Sequence, residues 1–87
     1  MSASMVEQIR ERLQQALDPS ALDVLDEGHK HAGHANDGKG HFHVRIVSAA
    51  FEGQMSIKRH RLIYAALQGL MDNGIHALSI DAKAPGE

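Results

Sequence analysis

"HFHVRIVSAAFEGQMSIKRHRLIYAAL", residues 41–67, decides how this chain folds. Its first seven residues alternate. Phe42, Val44 and Ile46 point one way and His41, His43 and Arg45 the other, the period-2 signature of a half-buried strand. Residues 48–54, with Phe51, Glu52 and Gly53, read as a connection containing a glycine turn. From 56 to about 71 the spacing becomes helical. Ile57, Leu62, Ile63, Ala66, Leu67 and Leu70 supply the apolar face, and Lys58, Arg59 and Arg61 cluster near its start. A strand followed by a helical crossover predicts a next strand lying parallel to the first, reached by a right-handed connection.

Upstream, Ser4 followed by Glu7 fits a capping box. Val6, Ile9, Leu13, Ala16 and Leu17 recur at helical spacing, and Asp18, Pro19 and Ser20 end that helix, because proline cannot continue it. Residues 22–27 read as a strand that pairs antiparallel with 41–47 across a flexible loop over 29–40. Downstream, Asp72, Asn73 and Gly74 close the second helical stretch. Residues 75–82 form the last strand, and 84–87 are expected to fray. The expected fold is a single α+β domain spanning 1–87, with a three-stranded mixed sheet and helices on one face. Periodicity alone leaves open whether 56–71 is one helix or two.

The totals narrow the function classes. Eighty-seven residues make one small domain with a modest core. There is no cysteine, so the chain can build neither a disulfide nor a thiolate metal site by itself. No apolar run approaches a membrane span and no signal-peptide pattern is present, so the expected setting is the cytoplasm or an organelle matrix. Net charge is −2 with acidic and basic residues mixed, which is no footprint for strong non-specific nucleic-acid binding. Three aromatic residues, Phe42, Phe51 and Tyr64, are too few for a base-stacking platform. No serine–histidine–acid spacing, paired-carboxylate spacing or P-loop is present, so no enzymatic activity is expected.

Histidine is the abnormal component. Five of the seven histidines, His29, His31, His34, His41 and His43, lie within residues 29–43, interspersed with alanine and glycine. Imidazole is the commonest neutral nitrogen ligand and suits Zn, Cu, Fe and Ni. The spacing His29-x-His31-x-x-His34 matches no zinc motif, however, so a soluble connection fits this stretch as well as a metal-binding loop does. His76 alternates in phase with Leu78 and Ile80, which by itself describes a core-edge histidine. In the proposed topology, though, the last two strands begin at the same end of the sheet, and the histidine loop feeds that end. His76 and His31 or His34 can therefore approach each other. Two imidazoles do not close a tetrahedral site, so a metal there needs ligands from a second molecule. His60, beside Lys58, Arg59 and Arg61, fits either a solvated helix start or a recognition helix with those cations on phosphate.

Taken together, "IVSAAFEGQMSIKRHRLIYAAL" (46–67) and "IHALSI" (75–80) closely resemble the BolA family, with "LDEGHKHAGHANDGKGHFHV" (25–44) matching its variable loop and second strand. The resemblance covers nearly the whole chain. It implies an α-β-β-α-α-β fold related to class II KH domains, with two helices in the second helical stretch. It also implies a monothiol glutaredoxin partner with which a bridging [2Fe–2S] cluster is shared. The glutaredoxin and its glutathione supply thiolates and this chain supplies nitrogen. The ligands carried over are His76 and one loop residue, His31 by alignment of "DEGHKH", with His34, His29 and His41 as alternatives. A cysteine-free loop matches the histidine-type subgroup. Neutral imidazole in place of thiolate raises a cluster's potential, and proton competition weakens its retention below about pH 6. The family also includes transcriptional regulators, which makes DNA binding through Lys58, Arg59, His60 and Arg61 the alternative.

Overall fold

The computed structural model describes residues 4–27 and 40–87. Of the expected loop over 29–40 only Gly40 is among them, so His29, His31 and His34 lie outside the described residues. The elements are α1 (Met5–Leu17), β1 (Ala21–Asp26), β2 (His41–Val47), α2 (Ser56–Ala66) and β3 (Ala77–Lys83), with a short 3-10 turn at Ala49–Phe51 between β2 and α2.

Ser4 caps α1: its hydroxyl oxygen accepts from the Glu7 N–H at 3.2 Å and its O–H donates to the Glu7 carboxylate. This is half of a capping box, with the glutamate answering the serine hydroxyl instead of its backbone. Ile9, Leu13 and Leu17 form the buried stripe. The helix stops where Asp18 turns left-handed at φ 44° and donates its N–H to Gln14 O. Aspartate is among the few residues that tolerate that conformation.

β2 is the central strand, antiparallel to β1 and parallel to β3. The crossover from β2 to β3 therefore has the parallel outcome its sequence predicts. Val24 pairs with Val44 and Val44 with Ile80, while Leu22, Ile46 and Ala82 form the next row. This face joins Ile9, Leu13, Ile63 and Leu67 in one core. Each large side chain buried there contributes about 1.5–3 kcal/mol. On the opposite face run the rows Asp23–Arg45–Asp81 and Leu25–His43–Ser79.

At the end of β2 the buried Ser48 fastens three segments together. Its O–H donates to Leu17 O at 2.6 Å and its oxygen accepts from the Ala50 N–H at 3.1 Å, starting the 3-10 turn that drives Phe51 into the core.

Four expectations are revised. β1 begins and ends one residue earlier than 22–27. The stretch 56–71 is one α-helix ending at Ala66 followed by turns through Gly74, not two helices; Gly69 at φ +92° cannot continue a right-handed helix. β3 begins at Ala77 instead of 75, because Ile75 leaves the sheet plane to plug the core beside Leu70. The tail, expected to fray, lies against the domain. Ala84 is 4% exposed, and Glu87 returns to the body of the domain through Arg59.

Candidate functional site

The end of the sheet where β2 and β3 start is built by two backbone contacts. The Glu27 N–H donates to His41 O at 2.8 Å, joining the residues on either side of the histidine-rich stretch. Gly40 O then accepts from both the His76 N–H, at 2.8 Å, and the Ala77 N–H, at 3.1 Å. His41 is thereby level with Ala77 in the parallel register. The His41 and His76 rings lie parallel within 12°, with centroids 5.7 Å apart.

His76 is exposed, not set into the core edge as alternation with Leu78 predicts. The residue sits in a bend one position before β3, where the pleat no longer dictates its direction. The expected approach of His76 to His31 or His34 lies outside the described residues; among those described, His41 is the imidazole that meets it. His41 was the last of the alternatives, and register explains its place. Parallel strands starting at the same level put their first residues side by side. Next along β2, His43 Nδ1 and Ser79 Oγ form a 2.6 Å hydrogen bond, which occupies that ring nitrogen. Among the described residues no group of three or more His, Asp or Glu side chains could hold a metal ion. The His41–His76 pair places two imidazoles side by side at this end of the sheet.

The basic cluster divides. Lys58 and Arg61 are exposed and His60 is half-buried, but Arg59 is not available to phosphate. Its guanidinium donates from Nε to Gln54 O at 2.8 Å, from Nη1 to Ala82 O at 3.1 Å, and in a two-pronged pair to the Glu87 carboxylate at 2.6 and 2.7 Å. It also lies 6.0 Å from the centroid of the Phe51 ring. The side chain is only 13% exposed, so the expected role of Arg59 on a nucleic acid is corrected to that of a fastener between α2, β3 and the tail. Sequence periodicity carries no signal for such a contact.

The hydrogen bond from Arg59 holds the Glu87 carboxyl well below its ordinary range, to about 2, helped by the Ala84 N–H. The folded state thus binds the Glu87 proton less readily than the unfolded chain. Its contribution to stability is present above the ordinary carboxylate range and is lost as pH falls toward 2. In thermal unfolding, the gap in midpoint between wild type and Glu87→Gln is expected to be largest at neutral pH, to narrow below about pH 4.5 and to close only toward pH 2. An equal gap at every pH would show that the carboxylate charge is irrelevant.

The family model for "BolA-like protein" matches residues 13–87. The chain is 52% identical over 86 residues to the SufE-like protein 1, chloroplastic/mitochondrial, of Arabidopsis thaliana, an alignment that covers 91% of this chain and 23% of that protein. The solved BolA domain of SufE1 superposes with a TM-score of 0.84 over 98% of this chain and 96% of that one. BolA1 from the same plant superposes with a TM-score of 0.86 at 43% identity, covering 99% and 98% of the two chains. At the sequence level the chain matches 52% of the length of the chloroplastic BOLA1 protein. The DNA-binding transcriptional regulator BolA of Escherichia coli is 38% identical over 74 residues, covering 85% of this chain and 70% of that protein.

Proposed function

The chain belongs to the BolA-like protein family, and on that premise we propose that it joins a monothiol glutaredoxin to share a bridging [2Fe–2S] cluster for delivery or iron regulation. Four ligands are needed. The glutaredoxin and glutathione bring sulfur, and His76 brings one nitrogen from this side. The second nitrogen comes from the histidine-rich stretch, from His31, the residue the family resemblance implies, or from His41, which already stands against His76. The observation that carries this reading is the pair of neighbouring imidazoles, His76 exposed and His41 half-buried, at one end of the sheet in a cysteine-free chain. Such a pair cannot close a shell alone and accepts a sulfur donor without competition from its own thiols.

What this chain does can be stated from its own atoms. The His76 backbone is fixed by Gly40, so its ring leaves the surface from a defined point. A neutral imidazole donates a lone pair without adding charge, which leaves a bound cluster less negative and easier to reduce than an all-thiolate one. The test is direct. Mixing the chain with cluster-loaded monothiol glutaredoxin should change the visible absorption and circular dichroism of the cluster. Superimposable spectra before and after mixing would remove the proposal.

A second reading rests on the name of the Escherichia coli relative and on the exposed Lys58 and Arg61 of α2. Two cations on duplex phosphate give a salt slope of only about −1.8 in log K against log salt. DNA binding by that helix predicts that Lys58→Ala and Arg61→Ala each lower the slope by about 0.9. Slopes unchanged in both variants would dispose of α2 as the DNA contact.

A further inference from the structure

We infer that Gly40 is a positioning residue that sets the separation of the two imidazoles, an assignment that rests on the cluster-sharing reading for its function but not for its geometry. Two independent features demand glycine there. The first is its backbone at φ +74°, the left-handed region where a side chain is strained. The second is space: a Cβ would sit 2.5 Å from Gly74 O, 2.8 Å from the His76 nitrogen and 3.1 Å from the His76 Cβ. All three atoms belong to the approach to β3, two of them to His76 itself. Two of them are backbone, so no side-chain rotation relieves the contact.

The same residue makes the bond that holds His76. Its carbonyl oxygen uses both lone pairs, one on the His76 N–H and one on the Ala77 N–H. A side chain at position 40 must push the His76 backbone outward. That displacement lengthens the hydrogen bonds and separates His76 from His41, the next residue along. The residues flanking the histidine-rich stretch are joined by the Glu27–His41 bond, so the disturbance is confined to the β3 side. Gly40 therefore acts through the backbone of His76.

Gly53 provides the control. It shares a positive φ, +73°, but a Cβ there meets nothing within 4 Å. Gly53→Ala suffers the backbone strain without the crowding, far from the histidine pair. In the chain alone, amide exchange and ring-to-ring nuclear Overhauser effects report the geometry. Gly40→Ala should speed exchange at His76 and Ala77 at least tenfold and abolish the His41–His76 ring contact, whereas Gly53→Ala should leave both as in wild type. Gly40→Asn should fail like Ala, since asparagine tolerates the left-handed backbone but still carries a Cβ. Rescue by asparagine, or wild-type exchange in Gly40→Ala, would overturn the positioning role. In the glutaredoxin mixture, Gly40→Ala should alter the visible circular dichroism of the shared cluster while Gly53→Ala does not; a wild-type spectrum from Gly40→Ala would overturn its coupling to the site. Failure of wild type to change the spectrum would instead strike the cluster proposal and leave the exchange result standing.

Discussion

Under the proposed cluster sharing, His76→Ala is expected to abolish the spectral change that wild type should produce on cluster-loaded glutaredoxin, while the variant itself stays folded. His76 is exposed, and its backbone bond to Gly40 O needs no side chain, so stability should move by no more than about 0.5 kcal/mol. The loss of function should be near complete because, among the described residues, the imidazole beside that bend is His41, itself a candidate for the second ligand and so no replacement for the first. Ala77 is apolar, and His43 is engaged with Ser79. Where wild type draws the cluster potential upward by on the order of 100 mV or more relative to an all-thiolate environment, His76→Ala should leave it near the lower value. Visible circular dichroism and redox titration of the mixture, beside thermal unfolding of the free variant, separate the loss of a ligand from the loss of a fold. A His76→Ala mixture indistinguishable from wild type would take this residue out of the site. Parallel His31→Ala and His41→Ala samples identify the second nitrogen by the same readout.

Phe51→Ala is expected to cost about 3–5 kcal/mol, the range for emptying a fully buried aromatic site. Phe51 is 0% exposed and is the largest of the fully buried side chains. The neighbourhood has little freedom to collapse into the space. The 3-10 turn carrying the residue is held by Ser48, and Arg59 above the ring is fixed at four acceptor atoms. Domains of this size hold a total stability toward the low end of about 5–15 kcal/mol. The midpoint should therefore fall by roughly 15–30 °C, with a substantial unfolded fraction at ambient temperature. Thermal and urea unfolding followed by far-ultraviolet circular dichroism measure this. A loss below about 1 kcal/mol would mean that the pocket closes around alanine. Phe51→Leu should lie between, since most of the volume is kept.

The elements that sequence patterning made legible are those governed by near neighbours. Helix α1 follows from a serine cap and a stripe at Ile9, Leu13 and Leu17; β2 follows from strict alternation at Phe42, Val44 and Ile46. The parallel pairing of β2 with β3 followed from chain connectivity, because a helical crossover returns the chain to the end of the sheet where β2 begins. The family was also legible in the sequence, and the absence of cysteine means that no ligand this chain offers a metal is a thiolate.

Tertiary structure alone decided the rest, and each case involves residues far apart in the chain. Arg59 looked like a surface cation until its partner proved to be Glu87, twenty-eight positions away. His76 looked like a core-edge residue because alternation was extended one step too far into a bend. That His41 is the imidazole opposite it depends on strand register, which is set by the packing of Val44 on Ile80 and of Phe42 on Leu78. The need for glycine at position 40 is visible only once Gly74 and His76 are brought against it. Patterns of 2 and 3.6 residues report which face an atom belongs to. They carry no information on what another segment places in front of that face, and it is there that the imidazoles of His41 and His76 come side by side.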